Sequence, residues 1–208
     1  MRERILRHAG PDRLIHWLIA VAVLALLATG FLPILGVEFA WVAPHWWAGF
    51  VLIAGVLAHL LRVIGWRKRG PILPGPRDLR DTVAVARASF GGAGEPPKPG
   101  KYSPAQKMIH FAFAAVVLAA IATGVMLMVK IDTPWWDRNP YWISSAAWGV
   151  VHVVHGFAAL LLITMVMTHV YFALRPEKAL YLRAMITGSI TREEFEREHD
   201  AERWRIRS

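Results

Sequence analysis

His155 and His169 stand fourteen residues apart in the apolar run Val150–Tyr171, and His45 and His59 repeat that spacing in an earlier run. Fourteen helical residues set two rings ~21 Å apart along the axis yet within ~40° of one face. An ionisable residue in a hydrocarbon-spanning segment is costly unless it finds a partner inside the protein. Two on one face therefore ask for two partners at different depths. The chain has nine His and no Cys, which excludes disulfides, thiolate-held iron–sulfur clusters and Cys-x-x-Cys-His haem attachment. Any metal must be held by His, Met or carboxylate.

The elements that would carry these residues are four apolar runs, each long enough to cross a hydrocarbon core at ~20 residues per span. They lie at about 14–35, 45–66, 105–129 and 147–174. The first follows a basic segment as a signal peptide would, but its apolar stretch is too long and shows no A-x-A-like cleavage site, so it reads as a retained span. A net charge of +9 raises the question of nucleic acid. All of the 24 Lys and Arg except Lys130 and Arg138 fall in the N-terminus, the loop between spans two and three with the span ends that flank it, and the C-terminal tail. The positive-inside rule then makes both termini cytoplasmic and explains the charge as topology, with no nucleic-acid partner.

The cytoplasmic segments read as follows. Asp78–Phe90 mixes charge with Leu79, Val83 and Val85 and predicts a helix on the membrane surface. The Arg67-Lys68-Arg69 cluster precedes it, and the Gly91–Gly100 stretch after it is a Gly/Pro hinge. In the tail, residues 176–208, Thr191 and Glu194 form a capping box for a short, mostly charged helix that is expected to be solvated. On the other side, Trp41, Trp46, Trp47, Trp135, Trp136, Tyr141, Trp142 and Trp148 make an interfacial aromatic belt, with docking of an external partner as a second use.

Sorted by depth, the membrane histidines form an outer layer of His45, His152 and His155 and a cytoplasmic layer of His16, His59, His110 and His169. A haem b with two axial imidazoles needs His on facing helices at one depth, with small residues to admit the porphyrin. Gly30, Gly49, Gly124 and Gly156 offer that space. A lone intramembrane His is more often a hydrogen-bonded packing residue or a proton-path residue than a haem ligand. The depth matching is what singles out His16, His45, His155 and His169 as candidate haem-iron ligands, with His59 as an alternative. His152 and His110 read as hydrogen-bonding neighbours, and His8 and His199 as solvated.

An internal repeat supports this layout. Ile-His-Trp and Ala-Thr-Gly in span one place His16 and Gly30 fourteen apart, and Ile-His-Phe and Ala-Thr-Gly in span three do the same for His110 and Gly124. Spans two and four share a His-x-x-x-Gly-Phe stretch, at His45 and His152, and a fourteen-residue His pair. The chain reads as a duplicated two-helix unit.

Over about Arg13–Gly188 the sequence resembles the di-haem cytochrome b subunits of membrane-bound formate dehydrogenases and, more distantly, of nickel–iron hydrogenases. The resemblance rests on Leu14-Ile-His-Trp17, His45-Trp-Trp-Ala-Gly49, Gly100-Lys-Tyr-Ser-Pro-Ala-Gln-Lys107, Val154-His-Gly156 and Thr168-His-Val-Tyr171. It implies an all-α integral membrane protein of the bacterial inner membrane, a four-helix bundle holding two b haems within residues 1–175. It implies that His45 and His155 ligate the outer haem, and His16 and His169 the cytoplasmic one. It also implies a quinone site beside the cytoplasmic haem, with contacts from Tyr102, Ser103, Ala105 and Gln106. In this segment Ser103 stands where the family has Asn, and Ala105 where it has Gly.

The function implied is that of a membrane electron-transfer subunit. Electrons from a periplasmic catalytic dehydrogenase and its iron–sulfur subunit would reach a quinone near the cytoplasmic side. A stand-alone di-haem cytochrome b quinone oxidoreductase is the alternative, and a haem-free metal or proton transporter a third reading. No G-x-S-x-G, H-E-x-x-H or P-loop motif occurs.

Overall fold

A computed structural model of the chain describes residues 3–65, 72–91 and 97–204. The Arg67-Lys68-Arg69 cluster and positions 92–96 of the expected hinge lie outside the described residues. Four helices are long and apolar enough to cross a membrane: α1 (Gly10–Phe31), α2 (Val42–Gly65), α4 (Pro104–Met128) and α5 (Ser145–Leu174). The rest is mostly helical, with α3 (Pro76–Ser89), α6 (Ala179–Thr187) and α7 (Arg192–Glu198). A two-stranded sheet joins β1 (Arg4–Leu6) to β2 (Ser189–Thr191).

By contacts the chain divides into two units, one of residues 14–61 and 113–171, the other of residues 1–13, 62–112 and 172–208. In the first unit the spanning helices are apolar almost all round, as lipid-facing helices are. Ala22, Val23, Leu27, Leu52, Val117 and Leu162 are buried between them, while Val21, Leu24, Leu57, Leu118, Leu160 and Met167 are exposed. With no water to exclude between helices, association rests on close packing of small residues. Gly55 shows this: a Cβ there would lie 2.8 Å from Ile19 Cγ1, so α1 and α2 meet only because the position is bare. The α1–α2 connection turns through Gly36, whose φ of 86° suits glycine. The α4–α5 connection is tied by Asn139 N–H donating to the Val129 carbonyl at 2.7 Å and by Trp148 Nε1–H donating to the Pro140 carbonyl at 2.8 Å. There Trp135 sits 5.5 Å from Trp46 and 6.0 Å from Phe50 between ring centres.

In the second unit the antiparallel pairing of Ile5 with Ile190 closes a small core with Leu180, Ala184 and Phe195. The Thr191–Glu194 capping box forms: the Thr191 hydroxyl accepts from Glu194 N–H and the Glu194 carboxylate accepts from Thr191 N–H. The tail is not simply solvated, however. Phe195 and His199 are 2% and 3% exposed. Their burial comes from a strand pairing between the two ends of the chain, which no local pattern announces. His199 Nδ1–H donates to the Gly100 carbonyl at 2.7 Å, and its Nε2 accepts from Arg7 Nη1 at 2.9 Å. Arg7 also donates to the Lys101 carbonyl and lies among the rings of Tyr102, Tyr181 and Trp204 at 5.6, 4.8 and 5.3 Å. Such a ring cage offsets part of the cost of burying a guanidinium. Asp78 links α3 to the start of α4 through Lys107 at 2.9 Å. Partial burial raises its pKa, but the bonds from Lys107 and Gly75 N–H outweigh this and hold the carboxyl below its usual range.

Burial, and next the charge of Arg7, push the His199 pKa below the ordinary histidine value. The folded chain then binds fewer protons here than the unfolded chain. The stabilisation is complete above an unfolded pKa of about 6.5 and is lost as pH falls through it toward the lower folded value. Amide exchange of the β1–β2 pairing is expected to accelerate between about pH 7.5 and about pH 5.5 after correction for intrinsic rates, and His199→Gln should remove that dependence. Equal corrected protection at both pH values would refute it.

Candidate functional site

Two histidine pairs form in the helical unit. His45, at the start of α2, and His155 of α5 face each other with ring centres 6.3 Å apart and planes inclined at 70°. His16, in the second turn of α1, and His169, near the end of α5, face each other at 6.4 Å and 55°. Helix α5 supplies one member of each, because its fourteen-residue spacing returns the second ring to the same face ~21 Å along. The α1–α2 reversal turns His45 back toward the bundle beside the Thr29-Gly30 end of α1.

Two imidazoles bound to one metal from opposite sides, with metal–nitrogen bonds of about 2 Å, have ring centres about 6 Å apart. Both pairs have that separation. Among the described residues no group of three or more His, Cys, Asp or Glu comes together. Two protein ligands per centre suit a metal whose other positions are filled by a macrocycle, and not a metal held by side chains alone. The surroundings also fit a planar group. A Cβ at Gly124 would stand 3.3 Å from His155 Cε1, tighter than usual, so this glycine gives the ring its room, while one at Gly30 would make an ordinary 3.7 Å contact with His45 Cε1. Around Gly49 and Gly156 nothing lies within 4 Å of a Cβ.

Two further residues, Thr29 and Thr123, belong to this arrangement and have no role in the reading from sequence. Their hydroxyls lie 2.8 Å from His45 Nδ1 and 2.9 Å from His155 Nδ1. Their signal in the sequence is the repeated Ala-Thr-Gly triplet, in which the threonine stands next to the glycine. The His16 ring instead meets Trp17 edge-on at 5.4 Å, and His169 meets Phe113 at 5.8 Å.

The remaining sequence candidates fall as follows. His152 Nδ1–H donates to the Trp148 carbonyl at 2.7 Å, and His152 lines an open hollow with Lys130, Tyr141 and Trp148. His59 lies on α2 nearly two turns before its end, and His110 meets Phe111 edge-on at 5.6 Å. In the other unit, Ser103 and Gln106 cap α4 reciprocally: Gln106 N–H donates to Ser103 Oγ at 3.2 Å, and Ser103 N–H donates to Gln106 Oε1 at 3.0 Å. Ser-Pro-Ala-Gln is thus a capping box with Pro in the first turn, a structural use that the reading of this segment as a ligand site passed over. Burial raises the pKa of the adjacent Tyr102, leaving its phenol a donor at neutral pH.

Residues 7–188 match the family model described as prokaryotic cytochrome b561, and the chain belongs to that family. The family implies b-type haem, which agrees with a helical bundle of facing histidine pairs. Among characterised relatives, the formate dehydrogenase cytochrome b556 subunit of Haemophilus influenzae is 22% identical over 202 residues, covering 90% of this chain and 77% of the relative. The formate dehydrogenase cytochrome b556(fdo) subunit of Escherichia coli K12 is 23% identical over 214 residues, covering 91% and 87%.

Since a Cβ at Gly124 would already crowd His155, Gly124→Val is expected to displace the ring. Haem retained per chain should fall while helix content by circular dichroism stays at the wild-type value. Unchanged haem content would contradict the role given to this glycine.

Proposed function

We propose that the chain is the membrane electron-transfer subunit of a respiratory oxidoreductase, taking electrons from a periplasmic dehydrogenase, formate dehydrogenase first among them, and delivering them to a quinone near the cytoplasmic side. The observation that carries the proposal is the pair of facing imidazoles at each of two depths, 6.3 and 6.4 Å between ring centres. In this reading His45 and His155 hold an outer b haem, and His16 and His169 a cytoplasmic one. Haem iron, when bound, supplies one-electron chemistry. The protein would supply the imidazole ligands, a ~21 Å offset along α5 and a dry surrounding of apolar side chains.

The distribution of Lys and Arg supports cytoplasmic termini and an inner-membrane location. The spans are taken as 14–35, 45–66, 105–129 and 147–174, with 78–90 on the cytoplasmic surface and 176–208 as a cytoplasmic tail. That the relatives are cytochrome subunits of formate dehydrogenases supports a catalytic dehydrogenase partner, and an iron–sulfur subunit between the two is part of the same proposal. For the quinone, Tyr102, Ser103, Ala105 and Gln106 are proposed contacts. Capping occupies acceptor oxygens of Ser103 and Gln106 and leaves the Ser103 O–H, the Gln106 amide N–H groups and the Tyr102 O–H as donors, which quinone carbonyls require.

Haem counting in single variants tests the ligand set. His16→Leu and His169→Leu are each expected to lose the same one of two haems, His45→Leu and His155→Leu the other, while His59→Leu retains both. Loss of a haem in His59→Leu with both kept in His16→Leu would transfer the ligand to His59.

A further inference from the structure

Thr29 and Thr123 hold equivalent places in the two repeated units, and their hydrogen bonds are alike. Thr29 Oγ1 lies 2.7 Å from the Ala25 carbonyl and Thr123 Oγ1 lies 2.7 Å from the Ala119 carbonyl, each four residues back on its own helix. A hydroxyl has one proton and two lone pairs. With the proton directed to the helix carbonyl, the oxygen faces His45 Nδ1 at 2.8 Å and His155 Nδ1 at 2.9 Å as an acceptor. Nδ1 of each ring therefore carries the hydrogen, and Nε2 keeps its lone pair. Two ring nitrogens become available for a metal, and two rings are held against rotation.

Accepting a hydrogen bond from the far nitrogen of an imidazole raises the basicity of the ligating one. A more basic ligand favours the more highly charged, ferric iron. Among the described residues no hydroxyl plays this part for His16 or His169, whose rings meet aromatic neighbours. We infer that Thr29 and Thr123 are positioning residues that fix the tautomer and aim of His45 and His155 and, through both rings at once, lower the reduction potential of the centre between them. This rests on the reading of His45 and His155 as haem ligands. The consequence is directional: the hydroxyl-backed centre is the better electron donor of the two, which favours flow from the His45–His155 pair toward the His16–His169 pair.

The test is a spectroscopic redox titration of the full-length protein in its native complex or in isolated membranes. Thr29→Val and Thr123→Val keep side-chain size and remove the hydroxyl; each is expected to raise the potential of one b component and leave the other in place, and the double variant to raise it further. Thr29→Ser and Thr123→Ser keep the hydroxyl and should hold the wild-type potential. If a Val variant fails to retain haem, a Ser variant with full haem and wild-type potential still supports the hydroxyl's role. Unchanged potentials in haem-replete Val variants, equal shifts of both components, or Ser variants that behave like Val would overturn the inference. The ligand reading fails separately, and only if His45→Leu and His155→Leu keep both haems.

Discussion

Placing an imidazole in hydrocarbon sets the problem that the helical unit solves. Each ring must satisfy two nitrogens where water is absent, and a ring left with an unpaired nitrogen there is costly. In the first pair, one nitrogen of each ring lies within hydrogen-bond distance of a threonine hydroxyl, and the two ring centres stand 6.3 Å apart. That requires backbone close enough for the hydroxyl to reach and bare enough for the ring to fit. Thr29-Gly30 and Thr123-Gly124 meet both requirements with adjacent residues.

Duplication makes this arrangement economical. The Ala28-Thr29-Gly30 triplet on α1 serves His45 on α2, and Ala122-Thr123-Gly124 on α4 serves His155 on α5. One short pattern, used twice, shapes both sides of a single centre. The second pair breaks the symmetry, since it joins α1 to α5 through His16 and His169 and has Trp17 and Phe113 beside it. Two chemically different environments along one helix are what a directional electron path calls for.

Much of this is visible in the order of residues. The four apolar helices follow from length and composition, and helical periodicity and depth bring His45 to the level of His155; for His169 they leave both His16 and His59, and it is the family resemblance that implies His16. What escaped was long-range or multiply explained. Nothing local says that Arg4–Leu6 pairs with Ser189–Thr191, so the burial of His199 against Arg7 and Gly100 could not be read from its charged neighbours. Ser103 and Gln106 also cap the start of α4, a second use that Ser-x-x-Gln signals locally and that does not bear on their proposed contact with a quinone. Thr29 and Thr123 were seen as part of a repeat without a purpose, because a threonine's partner is known only when the neighbouring helix is in place.

The central claim is that each facing pair holds one haem. The most direct measurement is the haem b content per polypeptide of the purified full-length protein, read from its pyridine haemochrome against quantitative amino-acid analysis. The account predicts two haems per chain, both low-spin. A content of one, or a preparation that is fully folded and haem-free, would contradict it.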